Sequence, residues 1–311
     1  MTAVTAFAPA TVANLGPGLD SLALALEGAG DRVRVAPDSG EGMRVSIEGP
    51  PEIPRDPRRN TAGIAASEVL RRAGCPNRGL SLALRKGIPL AGGQGGSAAS
   101  AAAAAVATDA LVGAALSHQE LLAACLAAEE AVAGRHADNV SAALWGGVVL
   151  VRDVESRDVV SLSYPRNLRV VLVEPDQRLA TREARSALPD VVPRATAVFQ
   201  AAQVGALVAA LASGDLALLR RAVEDRIAEP ARSGLLPGFS QARVAALDAG
   251  ACGCSISGAG PAAFAFADGE EWGARVGEAM VAAYRRSGIS ARARVCSIAG
   301  RGARVLPGEE D

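Results

Sequence analysis

The chain has 311 residues, of which 50% are hydrophobic and only 3% aromatic, so its core must be built mainly from Ala, Val and Leu. The 32 Lys and Arg residues nearly balance the 33 Asp and Glu residues, which gives a formal net charge of -1. This composition argues against a nucleic-acid binder driven by bulk positive charge and against a disordered chain. The length predicts about two domains of ordinary size.

Three features indicate a cytoplasmic protein without a membrane partner. The first Lys or Arg is Arg32, so the basic region of a secretory signal is missing. The apolar run over 98–107 is too short to cross a bilayer. The five cysteines are scattered and odd in number, as in a reduced chain, and Cys252 and Cys254 have neither a second pair nor a nearby His. We therefore expect no metal at this cysteine pair.

Apolar periodicity and turn residues predict the elements of the first half of the chain. They are strands over 4–12, 32–35, 43–48, 80–85 and 148–152 and helices over 61–73, 97–116 and 119–133. The strands over 32–35 and 43–48 are predicted to pair as a hairpin. A Gly-rich loop over 87–96 precedes the long Ala-rich helix.

A second unit is predicted to begin near Asn167. Its elements are strands over 168–173, 262–267 and 291–297 and helices over 195–212, 216–226, 241–249 and 270–287, and a tight Gly-rich turn is predicted to begin at 254–256. Strands and helices mix without strict βαβ alternation, which indicates an α+β protein with two domains. The charged tail after Gly300 is predicted to be loose.

The strongest chemical signal is the segment Pro-Leu-Ala-Gly-Gly-Gln-Gly-Gly-Ser-Ala-Ala-Ser over 89–100. Its glycines allow backbone N–H groups to approach an anion, and a helix with its positive dipole end follows at once. Ser97 adds a hydroxyl for a phosphate or for Mg²⁺. The segment is neither a P-loop nor a G-x-G-x-x-G dinucleotide loop. On spacing alone, phosphate binding and a flexible loop before a capped helix remain equal alternatives.

Two other segments carry polar chemistry. The Gly-rich turn over 253–261 is favoured, by itself, as a tight hairpin turn. Glu129 and Glu130 end a helix, where they are either Mg²⁺ ligands near a phosphate loop or part of a solvated helix face. His136 is interpreted as a residue that fixes the following loop, and Asn139 as the better substrate contact.

Six ordered segments, covering about residues 8–298, together resemble the GHMP kinase family. The three family motifs are matched by Ala-Pro-Ala-Thr-Val-Ala-Asn-Leu-Gly-Pro-Gly-Leu-Asp over 8–20, by the Gly-Ser-Ala-Ala loop and by Ser-Gly-Ala-Gly-Pro over 257–261. The other segments resemble the members that phosphorylate L-homoserine. They are His-Ala-Asp-Asn over 136–139, Thr-Arg-Glu-Ala-Arg over 181–185 with Leu188-Pro189, and Glu-Pro-Ala-Arg over 229–232 with Leu236-Pro237-Gly238.

The resemblance implies a fold and an activity. The α+β fold would comprise an N-terminal ATP-binding domain over 1–160, similar to domain 2 of ribosomal protein S5, and a ferredoxin-like C-terminal domain over 161–311 that completes the substrate cleft. The activity would be phosphorylation of the L-homoserine hydroxyl with ATP and Mg²⁺. The implied partner is this small molecule, with no nucleic acid and no membrane, and a homodimer is possible.

The resemblance also implies roles for individual residues. Those expected to bind the nucleotide are Asn60, Pro89, Leu90, Ala91, Gly92, Gly93, Gln94, Gly95, Gly96, Ser97, Ala98 and Ala99. Those expected to bind homoserine are Asn14, Asp20, Asn139, Thr181, Arg185, Arg232 and Gly258. Ser97 and Glu129 would hold Mg²⁺, with Glu130 as the alternative to Glu129, and Asn139, Ser97 and Glu129 would be catalytic. The substrate ammonium suits Asp20, whereas its carboxylate suits Arg185 and Arg232.

The phosphate-binding motif departs from the family pattern at two positions. The usual Gly-Leu-Gly-Ser-Ser-Ala-Ala is Gly-Gln-Gly-Gly-Ser-Ala-Ala here, so that Gln94 replaces Leu and Gly96 replaces the first Ser. Because Ser97 and the backbone donors remain, we expect phosphate binding to persist. The alternatives are a kinase for another acceptor, such as mevalonate, shikimate or threonine, and a non-catalytic nucleotide-binding member of the fold.

Overall fold

The first half of the chain alternates irregularly between strands and helices. The computed structural model describes residues 3–40, 42–132 and 134–307. The elements of this half are β1 (Val4–Ala13), β2 (Leu22–Pro37), β3 (Met43–Glu48), α1 (Thr61–Arg72), β4 (Leu80–Arg85), α2 (Gly96–Val112), α3 (His118–Val132), α4 (Asp138–Trp145), β5 (Val148–Asp153) and β6 (Asp158–Leu162). The predicted helix α2 ends four residues early, because Gly113 adopts a left-handed φ of 69° and caps it.

The second half adds a smaller sheet with helices around it. Its elements are β7 (Leu168–Pro175), α5 (Thr181–Ser186), α6 (Arg194–Ser213), α7 (Leu216–Ala222), α8 (Ala228–Ser233), α9 (Phe239–Asp248), β8 (Cys254–Ile256), β9 (Ala263–Asp268), α10 (Gly269–Arg286), β10 (Ala291–Ser297) and β11 (Arg304–Val305). The predicted strands over 168–173, 262–267 and 291–297 and the helices α6, α9 and α10 are confirmed. The helix predicted over 216–226 ends at Ala222, and the short elements α5, α8, β8 and β11 are not predicted by the sequence.

Within the described residues, the strands form two sheets. The larger has seven strands in the order β11-β1-β2-β4-β3, with β5 paired to β2 and β6 paired to β5. The smaller has four antiparallel strands in the order β10-β7-β9-β8. The predicted boundary after residue 160 falls within β6, and the division of the chain at that point stays a prediction.

The predicted hairpin between 32–35 and 43–48 is wrong. These residues do form strands, but β3 pairs in parallel with β4, in a register that places Met43 opposite Leu80. The segment over 32–35 is the end of the 16-residue strand β2, and its two neighbours are β1 and β4. Both sides of β2 are therefore occupied there, which leaves β3 to extend the sheet beyond β4.

The tail after Gly300 is ordered up to residue 307, contrary to the prediction of a loose tail. Val305 lies opposite Ala6 as part of β11, and the N–H of Leu306 donates to the carbonyl of Thr5 at 2.8 Å. The N–H of Ala303 donates to the carbonyl of Ala143 at 2.7 Å. These backbone hydrogen bonds outweigh the charged composition of the segment. Residues 308–311 lie outside the described residues.

The two sheets share a hydrophobic core. Leu172 and Phe264, on one face of the smaller sheet, belong to the same buried cluster as the Ala-rich helix α2 of the larger one. The other face, which includes Val173, packs with residues of α9 and α10. Because alanine side chains are small, α2 lies close to the strands on which it packs. The loop that leads into α2 contacts the second half of the chain, where the hydroxyl of Ser257 donates to the carbonyl of Gly93 at 2.6 Å.

Helix α6 is the one described helix that is long and apolar enough to cross a membrane by length and composition. Its mean hydropathy is 1.6 over 18 residues, of which only 22% are buried. Val198, on its exposed side, keeps 65% of its surface accessible. A single helix of this kind is weak evidence for a membrane segment, and the expected absence of a membrane partner stays a prediction.

Candidate active site

A cavity of about 490 Å³ opens between the Gly-rich loop and the second domain. We call residues 89–97 the phosphate loop, and all of them line this cavity together with Asn60. The other predicted site residues on its wall are Glu129, Asn139, Thr181 and Gly258. The side chains of Ala98 and Ala99 are buried in the core instead, so any contribution from these two residues must come from the backbone at the start of α2.

Two glycines of the phosphate loop adopt conformations that other residues rarely do. Gly93 and Gly95 have φ values of 71° and 66°. A Cβ atom on Gly95 would lie 1.9 Å from Oγ1 of Thr11 and 2.8 Å from Oδ1 of Asn139. A Cβ atom on Gly93 would lie 2.5 Å from the carbonyl oxygen of Ser257. The loop is thus packed tightly between β1 and the turn over 257–261, and only glycine fits at both positions.

A buried ion pair between Lys86 and Asp31 supports the phosphate loop, and the sequence analysis did not predict it. Nζ of Lys86 contacts the carboxylate of Asp31 and donates to the carbonyl of Gly96 at 2.9 Å. Asp31 also accepts a hydrogen bond from the hydroxyl of Ser100 at 2.6 Å and from the N–H of Gly87 at 3.0 Å. Both charged side chains are almost completely buried. They connect β2, β4 and the first turn of α2.

Ser97 and Glu129 form the part of the cavity that suits a divalent cation. Burial raises the pKa of Glu129, although a hydrogen bond from the Ser97 side chain acts in the opposite direction. Glu129 is 6% exposed, and its Oε1 is buried with no hydrogen-bond partner among the described residues. Glu130, by contrast, is exposed and lines a neighbouring cavity. The chain over 3–40, 42–132 and 134–307 holds no cluster of three or more His, Cys, Asp or Glu residues that could bind a metal alone.

Asn139 is held at the base of the cavity by Thr11. Its Oδ1 accepts a hydrogen bond from the Thr11 hydroxyl at 2.6 Å, which leaves the Nδ2 group for another acceptor. The neighbouring residue Asp138 is buried, and its Oδ1 accepts from the N–H of Asn139 at 2.7 Å. Burial, together with the charge of Asp20, raises the pKa of Asp138 to about 7.

The predicted ammonium and carboxylate contacts, Asp20 and Arg185, bind each other. The two guanidinium nitrogens Nη2 and Nη1 of Arg185 donate to Oδ1 and Oδ2 of Asp20 at 2.8 and 3.1 Å. Burial acts to raise the pKa of Asp20, but the hydrogen bonds and charge of Arg185 outweigh it and lower the pKa. Nδ1 of His136 lies 3.6 Å from the same carboxylate. This pairing joins the loop between β1 and β2, which carries Asp20, to helix α5, which carries Arg185.

Arg232, Asn14 and Gly258 form the floor next to this pair. Arg232 donates from Nη1 to the carbonyl of Gly258 at 3.0 Å and from Nε to the carbonyl of Ala184 at 3.1 Å. Nδ2 of Asn14 donates to the same Gly258 carbonyl at 3.0 Å. Burial, followed by the charge of Arg185, lowers the pKa of Arg232. The predicted acceptor residues from both domains therefore meet at one place.

Asn60 lines the cavity with its polar atoms already bonded. Its Oδ1 caps α1 by accepting from the N–H groups of Ala62 and Gly63 at 2.9 and 3.4 Å. Its Nδ2 donates to the carbonyl of Pro54 at 2.8 Å. The expected approach of Asn60 to the adenine stays a prediction, and the capping role explains why an asparagine is favoured there in any case.

Known proteins resemble this chain over nearly its whole length. The sequence models described as "GHMP kinases N terminal domain" and "GHMP kinases C terminal" match residues 60–147 and 207–286. A homoserine kinase of Arabidopsis thaliana is 45% identical over 97% of this chain and 84% of its own length. The chain belongs to the homoserine kinase family of GHMP kinases. The predicted family is therefore confirmed.

Two further homoserine kinases support this assignment. That of Chlorobaculum tepidum is 38% identical over 98% of this chain and 99% of its own length. The crystal structure of homoserine kinase from Cytophaga hutchinsonii superimposes with a TM-score of 0.94 at 38% identity, covering 98% of both chains. The predicted two-domain α+β GHMP kinase fold is thereby confirmed. As a kinase of this family, the protein uses ATP.

Proposed function

We propose that this protein transfers the γ-phosphoryl group of ATP to the side-chain hydroxyl of L-homoserine, giving O-phospho-L-homoserine and ADP in threonine biosynthesis. The similar proteins bear the name homoserine kinase. The observation that carries the proposal in this chain is the meeting of the phosphate loop, the Ser97–Glu129 pair and Asn139 in one cavity, next to a cluster of Asp20, Arg185 and Arg232. Phosphoryl transfer needs positioning and charge neutralisation, and this set supplies both.

The nucleotide phosphates would lie along the phosphate loop and the first turn of α2. Backbone N–H groups at that helix start have no partner within the helix, and the helix dipole favours an anion there. Ser97 and Glu129 fit Mg²⁺, since the unpartnered Oε1 of Glu129 and the Ser97 hydroxyl offer two adjacent oxygen ligands. When bound, Mg²⁺ would neutralise the charge of the phosphates.

The acceptor would lie over Asn139 with its charged groups toward the second domain. The Nδ2 group of Asn139 would hold the substrate hydroxyl in line, because Thr11 already occupies Oδ1. The Nε group of Arg185 is buried without a hydrogen-bond partner in the described part of the chain, so it can donate to the substrate carboxylate. Asp20 retains free lone pairs for the ammonium although Arg185 binds both of its oxygens.

The test of this function is ADP release with ATP and Mg²⁺ across five acceptors, namely homoserine, threonine, serine, mevalonate and shikimate. We expect homoserine to have the highest kcat/KM. Mevalonate has a carboxylate but no ammonium, so it would leave Asp20 without its substrate partner. A preference for mevalonate or shikimate would overturn the acceptor assignment. Nucleotide binding without transfer to any acceptor would favour the non-catalytic alternative.

Replacing the acceptor arginines should impair the use of homoserine more than the use of ATP. A charge-assisted hydrogen bond contributes about 1.5–3 kcal/mol, so Arg185→Leu should lower kcat/KM for homoserine roughly ten- to a hundredfold. Arg232→Leu should have a similar effect, with KM for ATP nearly unchanged. Arg178→Leu is the control, because Arg178 is exposed and its contact with Glu52 is 3.9 Å long. Unchanged kinetic constants for homoserine in both Arg185→Leu and Arg232→Leu would contradict the proposal that homoserine binds at this cluster.

Replacing Glu129 should change the metal requirement. Glu129→Gln removes the negative charge next to Ser97, so we expect a higher Mg²⁺ concentration for half-maximal activity. Glu130→Gln is the matched control, since Glu130 is the next residue on the same helix but is exposed. Titrations of activity with Mg²⁺ would compare the two variants. An effect of Glu130→Gln without one of Glu129→Gln would assign the metal to the other carboxylate.

Restoring the serine of the family pattern at residue 96 should change activity only modestly. Gly96 does not have a left-handed φ, and a Cβ atom there would lie 3.3 Å from Nζ of Lys86 and 3.4 Å from Cγ2 of Ile88, so a shift of a few tenths of an ångström would accommodate it. The backbone donor is the same for glycine and serine. The measurement is kcat for Gly96→Ser beside that of the unchanged protein. If the unchanged protein were inactive with every acceptor and Gly96→Ser were active, Gly96 would be the cause of a lost activity.

A further inference from the structure

Gln94 stands where the family pattern has leucine, and it is buried in the middle of the phosphate loop with 1% of its surface exposed. Its backbone carbonyl accepts a hydrogen bond from the N–H of Thr11 at 3.1 Å, which fixes the residue against β1. A difference between glutamine and leucine at this position therefore acts through the side chain. An amide at this place must satisfy a donor and an acceptor, which a leucine would not require.

The acceptor half of the Gln94 amide has a partner from the second domain. Nη2 of Arg294, on β10, donates to Oε1 of Gln94. Nε of Arg294 in turn lies 3.4 Å from Oε1 of Glu174, on the neighbouring strand β7. Because arginine is purely a donor, it determines which end of the amide is the oxygen. The orientation of Gln94 is therefore imposed by the second domain.

The donor half of the same amide has no hydrogen-bond partner among the described residues. Nε2 of Gln94 is buried and has no hydrogen-bond partner within residues 3–40, 42–132 and 134–307. It lies 3.4 Å from the position that a Cβ atom on Gly92, two residues earlier in the phosphate loop, would take. Gln94 also lines the nucleotide cavity. A buried donor without an acceptor is unfavourable, and a phosphate oxygen in the loop would supply the missing acceptor.

We propose that Gln94 binds a phosphate oxygen of the nucleotide through Nε2, and that Arg294 is the positioning residue that orients it. The proposal rests on the nucleotide binding that the proposed function requires. The side-chain donor would add to the backbone donors of the loop. It would also make nucleotide affinity depend on a residue of the second domain.

The experiment measures binding of ADP with Mg²⁺, and of adenosine, by calorimetry, so that no acceptor or phosphoryl transfer is involved. Gln94→Glu is the informative variant, because a carboxylate still accepts from Arg294 but has no donor and repels phosphate. We expect Gln94→Glu to weaken ADP binding roughly ten- to a hundredfold and Gln94→Leu somewhat less. Adenosine binding should be unchanged in both variants, since adenosine has no phosphate.

Arg294 is tested in the same way. Arg294→Met should weaken ADP binding less than Gln94→Glu, and Arg294→Lys, which keeps a donor, should restore most of it. Arg292→Met is the control, because Arg292 lies two residues away on the same strand and is exposed. Wild-type ADP affinity in Gln94→Glu, or an equal loss of ADP and adenosine binding, would overturn the proposal. ADP binding that responds as expected in a protein that does not phosphorylate homoserine would overturn the proposed function alone.

Discussion

Gly95→Ala is expected to lower kcat/KM by roughly a hundredfold or more, because small displacements of catalytic groups have effects of this size. The added Cβ atom would lie 1.9 Å from Oγ1 of Thr11 and 2.8 Å from Oδ1 of Asn139. Thr11 and Asn139 would have to separate from the loop, and their mutual hydrogen bond of 2.6 Å would be disturbed. The same change would move the first turn of α2 relative to the phosphates.

Gly113→Ala is the matched control for this variant. Gly113 ends the helix that Gly95 begins, and its φ of 69° is close to the 66° of Gly95. A Cβ atom on Gly113 meets nothing within 4 Å in the described part of the chain. Both variants therefore carry a left-handed penalty of about 1–2 kcal/mol, whereas only one carries the clash. Kinetics and thermal unfolding of both would separate the two effects, and equal kinetic losses would contradict the role of the clash.

Lys86→Met is expected to lower the free energy of unfolding by about 3–5 kcal/mol, as is typical when one partner of a buried ion pair is removed. The carboxylate of Asp31 would remain completely buried, with only Ser100 and backbone N–H groups as partners. The carbonyl of Gly96 would also lose one of the two side-chain donors within its reach, the other being the hydroxyl of Ser100. Urea unfolding followed by circular dichroism would measure the loss.

Arg85→Met is the control for Lys86→Met. Arg85 is the preceding residue on β4, and its ion pair with Glu48 is largely exposed on both sides. Exposed pairs contribute about 0–1 kcal/mol, so this variant should unfold at nearly the same urea concentration as the unchanged protein. A loss of similar size in the two variants would show that burial of the Lys86–Asp31 pair is not what makes it stabilising.

Local motifs made the phosphate loop predictable, since its glycines and the following helix start are adjacent in sequence. The sequence could not decide between Glu129 and Glu130 as the metal ligand, because the amphipathic pattern of α3 is too weak to fix its buried face to within one residue. The structure shows Glu129 inside and Glu130 outside. Helix α4 was missed because it has only eight residues and begins with the polar pair Asp138 and Asn139.

Contacts between segments that are distant in sequence could not be predicted from local sequence patterns. Asp20 and Arg185 were assigned to opposite ends of the substrate, and their direct pairing across 165 residues could not be inferred from charge alone. The Lys86–Asp31 pair did leave one signal. Asp31 shares its face of β2 with Val33 and Val35, all three of which are buried. A carboxylate on the inward face of a strand indicates a buried partner, although not which one.

The short strand β11 has a consequence for the order in which the protein can be completed during synthesis. It pairs with β1 at Ala6 and Phe7, so the last described strand of the chain covers part of an edge formed by the first. When the first half of the chain has left the ribosome, β1 can pair with β2 while its other edge is still open. That edge is a template for pairing with other chains until residues 304–305 emerge. The first domain therefore depends on the completion of the second for the protection of this part of its sheet edge.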